Sequence, residues 1–119
     1  MKLSKRDVSG ATVVDIEGKF VGGPENSDMF HSFFKSLLSE GQKKVVVNLS
    51  KTPWANSQGI GMLIGAHTSF ANAGGELVLA QVTDRIQDIL TVTRLLLIFK
   101  TFETESQALE HLATSGSPG

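Results

Sequence analysis

The chain has 119 residues, 40% of them hydrophobic and 19% charged, which predicts one globular domain with a single core and excludes a disordered chain. Its 11 Lys+Arg and 12 Asp+Glu give a net charge of −1, so no basic excess points to nucleic acid or an anionic membrane as partner. It has no cysteine, which removes disulfides and thiolate metal sites. The opening MKLSKRDVSGATVVDIEG is charged and alternating and lacks the apolar core of a signal peptide. The longest apolar stretch, around Leu95–Phe99, is far too short to span a bilayer. A cytoplasmic location without membrane insertion is expected.

Leu3–Val8 and Thr12–Glu17 flank Ser9-Gly10-Ala11 and predict two short strands joined by a tight turn. In the second, Val14 and Ile16 face inward while Asp15 and Glu17 face water. Residues 18–24 hold three glycines and a proline and predict a loop. Pro24 suits the first turn of a helix that buries Met29, Phe30, Phe33, Phe34, Leu37 and Leu38, with Gly41 closing it. Val45–Leu49 is almost continuously apolar and reads as a strand covered on both faces.

After the loop Ser50–Asn56, a second helix is expected from Ser57 to about Asn72, ended by Gly74-Gly75. Its apolar face is Ile60, Leu63, Ile64, His67, Phe70 and Ala71. Gly59, Gly61 and Gly65 each cost such a helix roughly 0.5–1 kcal/mol against alanine. They need a reason, which is close packing on the sheet or approach of a partner.

Leu77–Ala80 predicts another buried strand. Thr83 or Asp84 caps a short helix carrying Ile86, Ile89, Leu90 and Val92. A further short strand is expected within Leu95–Phe99, and a last helix over Thr104–Leu112 with Ala108, Leu109 and Leu112 inward. Residues 1–113 form the expected domain, and 114–119 a disordered tail. The order ββαβαβα(β)α implies an α/β sandwich with a mixed sheet of four to five strands and about four helices. Its middle strands pair in parallel, and the opening hairpin supplies an antiparallel edge.

Ser57 stands at a strand-to-helix turn, outside the carboxyl end of a strand, where ligand and interaction sites gather in open α/β sheets. As a plain N-cap its truncation costs about 1 kcal/mol. As a modified residue it would place about −1.5 to −2 charges at a helix N-terminus, which accommodates anions. Ala55-Asn-Ser57-Gln-Gly59 also approaches the nucleophile elbow Gly-x-Ser-x-Gly, with His111 later in the chain. A chain of 119 residues cannot hold a typical hydrolase sheet with its acid, oxyanion loop and pocket, so no enzyme activity is expected. Neither phosphate-binding glycine motif occurs, and His31, His67 and His111 are too scattered for a metal site, so no cofactor or metal is expected. Trp54, the sole tryptophan, is either an interface anchor or a lid on the core.

The segment VVVNLSKTPWANSQGIGMLIGAHTSFANAGGELVLAQVTDRIQDIL resembles the centre of STAS domains of the anti-sigma factor antagonist family, and the likeness extends more loosely over Thr12–Leu112. Ser57 falls on the serine that an anti-sigma factor kinase phosphorylates in such proteins. Gly59 and Gly61 fall on the motif and helix glycines, and Gly74-Gly75 on the turn before the fourth strand. The chain departs from the pattern at Asn56 for Asp, at Gln58 for Ser or Thr, and at Asn48 for a strand-end Asp. The resemblance implies a partner-switching regulator that binds an anti-sigma factor serine kinase and is reset by a serine phosphatase. Trp54, Asn56, Ser57, Gln58, Gly59 and Gly61 are the expected contact residues, with Ser57 the phosphorylation site. The alternative is an unphosphorylated STAS scaffold or adaptor, stressosome-like or associated with lipid transport.

Overall fold

The structure, a computed structural model, describes residues 1–8, 10–94 and 98–114. Its elements are β1 (Lys2–Val8), β2 (Ala11–Glu17), α1 (Pro24–Ser39), β3 (Lys44–Asn48), α2 (Ser57–Asn72), β4 (Glu76–Ala80), α3 (Asp84–Val92), β5 (Thr101–Phe102) and α4 (Glu105–Thr114). The strands lie in the order β1-β2-β3-β4-β5. β1 and β2 pair antiparallel, from Lys2↔Glu17 to Val8↔Ala11. The remaining neighbours pair in parallel, with Val14 beside Val47 and Val47 beside Leu79. This is the expected α/β architecture, with five strands in a mixed sheet and four helices among the described residues.

Period-two alternation divides the core. Val14, Ile16, Val45, Val47, Leu77 and Leu79 join the side chains of α1, α2 and α3 on one face. Val13, Val46, Val78 and Ala80 join Ala108 and Leu112 of α4 on the other. Because α4 covers that second face, Val13 of β2 is buried as fully as Val14 and Ile16, and Thr12, on the same face as Val14, is buried as well. The strand is therefore more enclosed than its alternation predicts.

Some expectations need correction. α1 docks through the stripe Phe30, Phe34 and Leu37, which leaves Met29 39% exposed beside it. α2 docks through Gly59, Ile60, Leu63, Ala66 and Phe70, so Ala66 occupies the core where Ala71 was expected, and Ala71 is exposed. Val92, the last residue of α3, is 82% exposed, whereas Ile86 and Leu90 are buried and Ile89 packs half-buried against the core. The strand expected within Leu95–Phe99 falls partly on residues 95–97, which lie outside the described residues. The fifth strand is Thr101–Phe102, while Phe99 turns into the core and meets His67 edge-on at 5.2 Å. The C-terminal tail, 115–119, is likewise outside the described residues, and Thr114 belongs to α4.

Two glycines carry distinct constraints. Gly74 has φ +80°, a left-handed conformation that lets the chain leave α2 and enter β4. Gly59 lies beneath the backbone of Phe20, whose carbonyl oxygen would collide with any Cβ there. Gly61 and Gly65 are exposed, and a Cβ on either would meet nothing. Gly59→Ala should therefore lower stability by about 1–3 kcal/mol through overpacking, whereas Gly61→Ala should raise it by up to about 1 kcal/mol. Urea denaturation of the two variants, read as midpoint shifts of opposite sign, checks the assignment.

Candidate functional site

The segment between β3 and α2 is pinned along its length. Thr52 is buried, its hydroxyl donating to the Ile16 carbonyl at 2.7 Å, and the Thr83 hydroxyl donates to the Thr52 carbonyl at 3.1 Å. Further on, the Phe20 N–H donates to the Trp54 carbonyl at 2.8 Å, and the Asn56 N–H donates to the Phe20 carbonyl at 3.2 Å. These bonds frame the parallel bridge Phe20↔Ala55. The Phe20 ring anchors the bridge in the core, 5.5 Å from the ring of Phe30.

Asn56, and not Ser57, is the N-cap of α2. Its Oδ1 accepts from the Gly59 N–H at 2.9 Å and from the Gly22 N–H at 3.4 Å, tying the helix start to the preceding loop. Asparagine, like serine, is a favoured cap, and its φ of −107° is the extended geometry a cap requires. Ser57 is thereby displaced to the first helical position. Its side chain is exposed, and its hydroxyl makes no hydrogen bond among the described residues. No acidic residue occupies the first turn, so the positive pole of the helix macrodipole is left uncompensated there.

The six expected contact residues divide unequally. Trp54 is 38% exposed, Ser57 and Gln58 are exposed, and Gly61 lies one turn on from Ser57, also exposed. Gln58 packs over Gly22, Asn56 is half-buried in its capping role, and Gly59 is buried against Phe20. For Gly59 the close approach is therefore internal. No histidine is brought to Ser57. His67 sits against Phe99, and His111 lies on α4, bonded to Glu76 at the start of β4, at the opposite end of the sheet. Among the described residues no group of three or more His, Cys, Asp or Glu side chains is clustered to hold a metal ion, and no helix is long and apolar enough to cross a membrane.

A polar network that no local pattern announces lies on the α4 face. Asn48 donates through Nδ2 to Gln81 Oε1 and to Glu105 Oε1, each at 3.0 Å, while its own Oδ1 accepts from the Ser50 N–H at 2.9 Å. Arg6 reaches Glu105 at 2.6 Å and grips both oxygens of Asp15 at 2.8 and 3.0 Å. Asn48 thus fastens α4 to the sheet and turns away from the α2 site. Its place after a valine run is visible in sequence, but its partners at 81 and 105, and Arg6 and Asp15 beyond Glu105, are joined only by the sheet register and by α4.

The hydrogen bond from Arg6 holds the Glu105 carboxyl below its ordinary pKa, against the opposing effect of burial, with Asn48 adding a second bond. A lowered folded-state pKa means stability that is present above the ordinary glutamate value, about 4.3, and is lost as pH falls through the folded value. Stability of the native chain should therefore decline in that acid range more steeply than that of Glu105→Gln, a difference read from urea midpoints across pH. Asn56→Ala, which removes the cap, should cost about 1 kcal/mol and increase amide exchange in the first turn of α2.

The model of the STAS domain family matches residues 2–108 of this chain. A Thermotoga neapolitana protein named as a candidate anti-sigma factor antagonist is 29% identical over 89 residues, covering 74% of this chain and 79% of the relative. The crystal structure of a candidate anti-sigma factor antagonist from Thermotoga maritima superposes with a TM-score of 0.84 at 22% identity, covering 93% of this chain and 94% of the other. The phosphorylated form of the Bacillus cell fate determinant SpoIIAA superposes at 0.71 with 13% identity, covering 92% and 98%. The chain belongs to the STAS domain family.

Proposed function

We propose that this STAS domain is a partner-switching regulator that docks on an anti-sigma factor with serine-kinase activity and is released by phosphorylation of Ser57, a serine phosphatase restoring it. Family membership and the names of its relatives support the antagonist role. The observation that carries the switch is the free Ser57 hydroxyl. Asn56 takes over the capping bond, so Ser57 stands exposed at the first helical position with no bond to lose on modification. The fold is shared with a Bacillus protein whose structure is known in a phosphorylated form, which supports phosphorylation being compatible with this architecture.

The physics of release is electrostatic. A phosphate adds about −1.5 to −2 charges, which the N-terminal pole of α2 tolerates within the fold. The same charge, desolvated against a partner shaped for a hydroxyl, opposes docking. The docking face comprises Trp54, Ser57, Gln58 and the exposed side of α2 through Gly61, with the 18–23 loop beside it. Asn56 keeps the hydrogen-bonding oxygen of an aspartate without its charge, so it adds no repulsion to a neighbouring phosphate. That same lack of charge favours the second reading, an adaptor that is never phosphorylated.

Incubation with ATP and an anti-sigma factor serine kinase that binds the protein, followed by mass-spectrometric mapping, should place one phosphate on Ser57. A phosphate elsewhere, or none from a kinase that binds the protein, removes the switch. Ser57→Asp should weaken kinase binding more than tenfold while leaving stability unchanged or raised by about 0.3–1 kcal/mol, since an acid at a helix start is favourable. Ser57→Ala should bind as the native chain does. An adaptor would show binding indifferent to both substitutions.

A further inference from the structure

Helices α1 and α2 both connect neighbouring parallel strands, so they run side by side in the same direction on one face of the sheet. They do not close fully on one another. An open groove of about 600 Å³ remains between them, inside the range of small-molecule sites, ~300–1,000 Å³. Its floor is apolar, with Phe30, Phe34 and Ala66 buried and Leu38 and Met62 half-buried along it. On its rim Lys35 and His31 stand one turn apart on α1, and neither makes a hydrogen bond or ion pair among the described residues.

A glycine that the fold itself does not need lines the groove. Gly65 forms part of the α2 wall, and a Cβ there would meet nothing. Within a helix it lowers stability against alanine without any internal contact to offset the loss. A methyl there leaves the groove open, whereas a longer side chain would fill it.

We propose that this groove binds a small amphipathic anion: a single apolar chain on Phe30, Phe34 and Ala66, ending in a carboxylate held by Lys35 and His31. The sign of the head follows from the rim. Lys35 is its one permanent cation, and Asp28, its one permanent anion, lies within a turn of His31 and two turns from Lys35 towards the start of α1, where it repels an anion and so sets the carboxylate at the Lys35 end. The shape favours a chain over a second copy of the protein. A stable dimer needs roughly 800 Å² of matched surface on each partner, and this apolar surface recedes between two helices.

Decanoate, kept below its micelle concentration, titrated into the full chain and followed by backbone amide NMR, tests the proposal. Saturable shifts confined to α1 and α2 beside the groove are expected, lost in Gly65→Leu, kept in Gly65→Ala, and weakened about tenfold in Lys35→Glu. Both changes at position 65 install better helix formers, so an intact fold is expected and the same spectra verify it. Ser57→Ala should bind decanoate unchanged, which separates this site from the docking face. Equal affinity for decyltrimethylammonium would overturn the assigned charge. An absence of saturable shifts, shifts elsewhere, self-association through this face without a decanoate effect, or binding seen only with lipid vesicles would overturn the site.

Discussion

The start of α2 is held by the backbone of one residue, Phe20. Its N–H and carbonyl are both spent on the chain that leads into the helix, at Trp54 and Asn56, and its carbonyl leaves room beneath it for a glycine alone. A peptide unit buried this way must be paired on both sides, because an orphaned buried amide or carbonyl costs about 1–3 kcal/mol. The buried ring ensures that the pairing persists. Loop, strand-end segment and helix start therefore form one rigid unit, and the exposed groups on it are presented in a fixed geometry.

That rigidity explains the division of labour between Asn56 and Ser57. Capping requires a side-chain oxygen turned back onto the first turn, and an oxygen so engaged is withdrawn from solvent. Asn56 does this while also reaching Gly22, so the serine after it is left with an unengaged hydroxyl. Two adjacent polar residues, alike in composition, thus acquire opposite roles.

The two faces of the sheet are secured by different physics. On the α1–α2–α3 face, aromatic and aliphatic packing dominates, with Phe30 and Phe34 at 4.5 Å and Phe34 and Phe70 edge-on at 6.1 Å. On the α4 face the apolar cluster is smaller, and Arg6, Asp15, Asn48, Gln81 and Glu105 add a hydrogen-bonded network at its edge. Gln81 holds φ at +53°, an unusual value for a residue with a side chain, and its bond to Asn48 helps to hold it there. The helix itself is set locally by Thr104 and Gln107, whose side chains bond reciprocally across its first turn.

Sequence by itself determined the element order, the parallel centre of the sheet and the limits of α2, because apolar period and glycine or proline punctuation are local properties of the chain. It also singled out Ser57 by its place after a buried strand. What it left open was settled by contacts between distant segments. Asn56 and Ser57 are both good caps in isolation, and only the approach of Gly22 and Phe20 selected the asparagine. Gly59, Gly61 and Gly65 look alike in sequence, and only the Phe20 carbonyl separates the first from the other two. The network around Arg6 and Glu105 joins residues 99 positions apart, and the α1–α2 groove exists only because two helices share a face. Such features depend on distances that folding creates, and no window along the chain contains them.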